Sequence, residues 1–126
     1  MTSVLVVDDD SGVRGVVSRF LGSAGYEVRE ASTGREGMAA YRERTADLVI
    51  TDMYMPDSDG IDVIMRLRAD FPHIRIVAMT GGGVRDEGKV LEGAEHAGAL
   101  CTLRKPFDRE SLLRAVADTL GPATAP

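Results

Sequence analysis

The sequence predicts an α/β fold in three layers, with one sheet of parallel strands between two layers of helices. Three observations predict it. Five short apolar runs recur along 126 residues, five stretches of helical periodicity alternate with them, and turn residues separate the two kinds of segment. Val4–Val7 is the first strand. The helix after it carries Val13, Val16, Val17, Phe20, Leu21 and Ala24 at the spacing of a core-facing stripe, and Gly25 ends it. Val28–Ala31 is the second strand, and Thr33 with Glu36 forms a capping box for the second helix. Leu48–Thr51 is the third strand. Gly60 opens a helix whose inward face is Val63, Ile64, Leu67 and Phe71, closed by Pro72. Ile74–Met79 and Ala99–Leu103 are the fourth and fifth strands. Between them, glycines interrupt the segment Val84–Ala97, which predicts a short or frayed helix. Asp108 caps a last helix with Leu112, Leu113, Val116 and Leu120 inward, and Gly121-Pro122 stops it. With right-handed crossovers, five such units fit a flavodoxin-like (βα)5 arrangement with strand order 2-1-3-4-5.

Length and composition limit what this fold does. The chain is long enough for one core, which the reading assigns to residues 1–120, with 121–126 as a short flexible tail. A net charge of -5 without a basic stripe argues against non-specific nucleic-acid binding, which needs clustered positive charge. No apolar stretch approaches a membrane span, and no basic region precedes the first strand, so a cytoplasmic protein is expected. The lone Cys101 lies in an apolar run and reads as a buried free thiol.

The chemistry gathers at strand ends. Asp8-Asp9-Asp10 follows the first strand, Asp52 ends the third, Thr80 ends the fourth and Lys105 the fifth. In a parallel sheet these ends share one rim, the usual ligand-binding edge of open α/β sheets. Turns favour aspartate, so the acidic run alone would be a solvated turn. Its coincidence with a carboxylate, a hydroxyl and an ammonium on three other strands is hard to obtain by chance. Asp8, Asp9 and Asp52 would repel one another unless a cation lay between them. Oxygen-only ligands select a hard cation, and a few carboxylates plus water suit Mg2+. A carboxylate can itself be a nucleophile and form an aspartyl phosphate. Asp52, alone at the end of a central strand, is best placed for that. Thr80 can donate to a phosphoryl oxygen and Lys105 can supply the countercharge.

Four signatures now carry a resemblance: Val7-Asp8-Asp9, Asp52 with Met55-Pro56-Asp57-Ser58-Asp59-Gly60, Thr80-Gly81, and Lys105-Pro106-Phe107. From Ser3 to about Leu120 the chain resembles the receiver domain of two-component response regulators, of the single-domain chemotaxis type. The resemblance implies a signalling switch with no output domain in this chain. Asp52 would accept a phosphoryl group from a sensor histidine kinase or histidine phosphotransfer protein. It further implies Mg2+ on Asp9 and Asp52 directly, on the backbone carbonyl of Tyr54, and on Asp8 mainly through water. Thr80 and Lys105 would grip the phosphoryl oxygens, the Lys105-Pro106 bond would be cis, and the face of the fourth helix, fifth strand and last helix would meet a downstream protein target. One position departs from the pattern: Thr102 stands where receivers usually carry an aromatic switch residue.

Two other readings compete. An aspartate-nucleophile phosphohydrolase of the dehalogenase type would need a second Asp two residues after the nucleophile, where Tyr54 stands. A flavodoxin-like cofactor module would need a Ser/Thr/Gly-rich phosphate loop after the first strand, where three aspartates would repel phosphate instead. The remaining candidates read as structural. His73 is expected in a solvated loop and His96 on a helix surface, while Met38, Met53, Met55, Met65 and Met79 are expected in or near the core.

Overall fold

The computed structural model describes residues 2–55, 58–81 and 93–121, of which 54–55 and 58–59 as backbone only. The sequence expectations for Pro56-Asp57, for the loop and helix start between 82 and 92, and for the tail beyond 121 lie outside the described residues.

The sheet strands are β1 (Ser3–Val7), β2 (Glu27–Ala31), β3 (Leu48–Asp52), β4 (Ile76–Gly81) and β5 (Cys101–Lys105). All pair in parallel, in the order β2-β1-β3-β4-β5. The helices are α1 (Ser11–Ser23), α2 (Gly34–Glu43), α3 (Gly60–Asp70), α4, of which 93–97 are described, and α5 (Arg109–Leu120). A two-residue antiparallel ribbon, Tyr54–Met55 with Ser58–Asp59, joins β3 to α3.

Strand side chains alternate between faces, so every central strand feeds two cores. Val4, Val6, Leu48, Ile50, Val77 and Met79 pack with Val17 and Leu21 of α1 and Leu112 and Val116 of α5. Leu5, Val7, Val49, Ile76 and Ala78 pack with Tyr41 of α2, Val63, Ile64 and Leu67 of α3 and Ala94 of α4. Burial on both faces is why these strands are apolar throughout.

The helix boundaries follow local chemistry. The Asp10 side chain accepts from the Gly12 and Val13 amides and caps α1. Past its end, Gly25 adopts φ 94°, a left-handed conformation that disfavours a side chain. Thr33 caps α2 through the Glu36 amide, but Glu36 reaches back to the amide and hydroxyl of Ser32, one residue earlier than a capping box requires.

Several expectations are corrected. β4 and β5 each begin and end two residues later than the apolar runs suggest. At their starts, the Ile74 amide donates to the Phe71 carbonyl in the turn after α3 and the Ala99 amide to the Ala94 carbonyl of α4, so both amides are used before the ladder begins. At their ends the ladder continues to the pair Gly81 and Lys105, which keeps Thr80 and Lys105 inside the sheet. Within α1 only Val17 and Leu21 are fully buried, and Ala24 is exposed at the C-cap. Met65 is 56% exposed, on the side of α3 away from Val63, Ile64 and Leu67. Cys101 is only partly buried, because β5 is an edge strand.

Candidate functional site: an acidic rim closed by a lysine

The parallel register brings the strand ends level. Val7 pairs with Thr51, so Asp8 and Asp52 follow as neighbours at the rim, and Asp52 pairs with Met79, one residue before Thr80. The chain beyond Asp52 is held tightly. The Gly60 amide donates to the Met53 carbonyl at 3.3 Å, and a Cβ on Gly60 would lie 2.6 Å from the Met53 Cα. Only glycine allows the start of α3 to press against the turn that follows Asp52.

Asp8 is fully buried and Asp52 is 5% exposed, whereas Asp9 is open to solvent. One carboxylate oxygen from each of the three lies within 4.8 Å of the others. Lys105 reaches into this cluster from the edge strand. Its Nζ lies 2.8 Å from Asp8 Oδ2 and 3.3 Å from Asp52 Oδ1. Burial is the largest single influence on the Lys105 ammonium and pulls its pKa down. The Asp8 hydrogen bond and the charges of Asp52 and Asp8 together outweigh it, so the net direction is upward. Lys105 is therefore charged at neutral pH and bridges two carboxylates.

The rim thus unites Asp8, Asp9, Asp52 and Lys105, as their strand-end positions predicted. Thr80 is fully buried on the adjacent strand, and Tyr54 opens the ribbon two residues past Asp52. The Lys105-Pro106 bond is cis. Thr102, the departure from the expected aromatic, is partly buried opposite Ala78. Arg14 escaped the sequence reading: its Nη1 donates to the Asp8 carbonyl at 2.7 Å and its Nε to Glu30 at 3.0 Å. Its only sequence signal is a place in the first turn of the helix that follows the acidic run.

Three carboxylate oxygens at such separations suit a hard divalent cation. One ammonium among them leaves two net negative charges, the complement of such a cation. The same geometry offers an oxygen nucleophile with cationic support for a phosphoryl group.

A family model described as the response regulator receiver domain matches residues 4–117. The chain belongs to this family. Sporulation initiation phosphotransferase F of Bacillus subtilis is 31% identical over 113 residues, covering 90% of this chain and 89% of that protein. The DNA-binding transcriptional regulator NtrC of Azospirillum brasilense is 34% identical over 98% of this chain, which spans only 25% of that longer protein. Among solved structures, the Vibrio cholerae chemotaxis protein CheY4 superposes with a TM-score of 0.85 at 32% identity, over 94% of this chain and 98% of that one. Receiver domains are phosphorylation-dependent switches of two-component signalling, served by histidine kinases or phosphotransfer proteins, and they generally bind Mg2+ at an acidic pocket. This receiver domain carries such a pocket in Asp8, Asp9 and Asp52. Among its described residues, no helix is long and apolar enough to cross a membrane.

Proposed function

We propose that Asp52 is the phosphoacceptor of this receiver domain. The observation that carries the reading is the convergence of its carboxylate with Asp8, Asp9 and Lys105 on one rim. A carboxylate oxygen of Asp52 attacks the phosphorus of a phosphohistidine. The new O–P bond forms as the N–P bond breaks, and the imidazole leaves with the electron pair and takes up a proton. The donor is a sensor histidine kinase or a histidine phosphotransfer protein. Asp8, Asp9, Asp52 and the Tyr54 carbonyl would hold Mg2+, which would supply positive charge to offset that of the transferring phosphoryl group. The Lys105 ammonium passes from Asp52 to a phosphoryl oxygen, a short move given its present 3.3 Å contact. Thr80 donates its hydroxyl hydrogen to another.

The output is altered docking of a downstream protein in the cytoplasm, across the face of α4, β5 and α5. Thr102 is too small to fill or vacate a ring-sized pocket, so coupling runs through the Thr80–Gly81 end of β4, whose ladder includes Lys105. The net charge of -5 favours a protein target over nucleic acid. The test is direct. Incubation with acetyl phosphate and Mg2+ should add one phosphoryl mass, lost in Asp52→Asn and in excess chelator. Full labelling of the Asp52→Asn protein would refute the assignment.

A further inference from the structure

We propose that Arg14 is a positioning residue for the metal site, acting through the peptide that joins Asp8 to Asp9. The inference rests on the metal reading above and concerns how the β1–α1 loop presents Asp9. That loop is three residues long, and each carries a carboxylate. Two of the three are already engaged. Asp8 Oδ1 accepts from the Asp10 amide at 2.9 Å, and its Oδ2 accepts from Lys105. The Asp10 carboxylate accepts from the Gly12 and Val13 amides at 2.8 and 3.2 Å. Asp9 is exposed, and the two peptides that flank it set where its side chain leaves the backbone.

Both peptides are pinned. The one after Asp9 donates its N–H to Asp8 Oδ1, and the one before it offers its carbonyl to Arg14 Nη1 at 2.7 Å. Arg14 is in turn anchored on β2, where Nε meets Glu30 Oε1 at 3.0 Å with the arginine side chain only 19% exposed. The guanidinium fork therefore joins α1, β2 and the end of β1 at the carbonyl beside Asp9. A lysine at this position has one donor centre and cannot make both contacts in the same geometry.

Two effects of Arg14 oppose each other, and their signs separate them. Its positive charge repels a cation from the acidic site, so removing that charge alone would tighten metal binding. Its hold on the Asp8 carbonyl keeps Asp9 aimed at the site, so losing that hold weakens binding. Groups that orient metal ligands typically contribute about 10–100-fold to affinity. At a solvent-open loop we expect about tenfold, the low end of that range, which exceeds the repulsion of a partly screened charge.

The experiment titrates Mg2+ into wild type, Arg14→Ala and Arg14→Lys, following backbone amide shifts, alongside thermal melting in chelator. Both variants should need about tenfold more Mg2+ for half-saturation, including the lysine variant that keeps the charge. Labelling by acetyl phosphate should show the same shift in Mg2+ dependence and reach the wild-type extent at saturation. Equal or tighter Mg2+ binding in Arg14→Lys overturns the proposal, and that variant retains the charge facing Glu30 should the alanine variant fold poorly. A wild-type protein whose Mg2+ response is absent, or survives Asp9→Asn unchanged, refutes the metal reading instead.

Discussion

Replacing Lys105 with alanine tests whether the rim is held by its ion pairs. The change removes an ammonium 2.8 Å from Asp8 Oδ2 and 3.3 Å from Asp52 Oδ1. It leaves two nearly buried carboxylates, with side-chain exposures of 0% and 7%, to face each other uncompensated. Breaking a buried pair by removing one partner costs about 3–5 kcal/mol. The 18% exposure of Lys105 lets water enter after truncation, so the lower end, about 3 kcal/mol, applies. An unfolding entropy of about 2.1 cal/mol/K per residue turns that into a Tm lower by about 11 °C for a chain of 126 residues. Saturating Mg2+ should reverse much of the loss, since a cation again lies among the carboxylates, and Mg2+ should bind the variant more tightly than wild type. The lysine term is pH-independent through neutrality. With the folded pKa raised, its stabilisation is fully present below the unfolded value of about 10.5 and is lost only as pH rises through the still higher folded value. Calorimetry in chelator and in Mg2+ measures all of this. A loss under about 1 kcal/mol, or an equal loss in both conditions, would refute the argument.

Gly60→Ala should cost about 1–3 kcal/mol, as overpacking does, because its Cβ would meet the Met53 backbone at 2.6 to 3.0 Å and backbone cannot yield as a side chain can; a melting curve matching wild type would contradict the contact. Asp108 has its pKa lowered by the hydrogen bond it accepts from the Ser111 amide. Its capping contribution is therefore present above the unfolded value of about 3.8 and fades as pH falls through the lower folded value. The protection of amides in the first turn of α5, taken relative to their intrinsic exchange rate at each pH, should fall on acidification below about pH 4 in wild type but not in Asp108→Asn, and identical profiles would show that the cap does not respond to this carboxylate.

Strand ends were the most legible part of the site. A parallel sheet aligns the C-terminal ends of its strands, so Asp8, Asp52 and Lys105 could be placed together from position alone. Where the sheet's edge or a loop intervened, sequence pattern misled. Cys101 sits in an apolar run, yet the edge strand lacks a neighbour on one side and leaves it partly exposed. Met65 is apolar but falls on the wrong side of α3, which hydrophobicity without its phase does not reveal. The starts of β4 and β5 depended on the Ile74 and Ala99 amides being used by the segments before them, a matter of hydrogen bonding that no run of side chains encodes. Arg14 was invisible for a related reason. Its partners are a backbone carbonyl and a glutamate sixteen residues away, and neither leaves a periodic trace.

The contact between Lys105 and Asp8 spans 97 positions of sequence. Closing so long a loop has an entropic cost that is offset only once the intervening units are in place. A chain still emerging, with β1 and β3 paired but β5 not yet docked, would gather Asp8, Asp9 and Asp52 without the ammonium that balances them. Such a species has an acidic rim in self-repulsion and lacks one of the two groups proposed to grip the phosphoryl oxygens. If Lys105 grips the phosphoryl oxygens as proposed, docking of the last strand would complete that grip, so the separation of 97 positions would tie the finished site to the finished sheet.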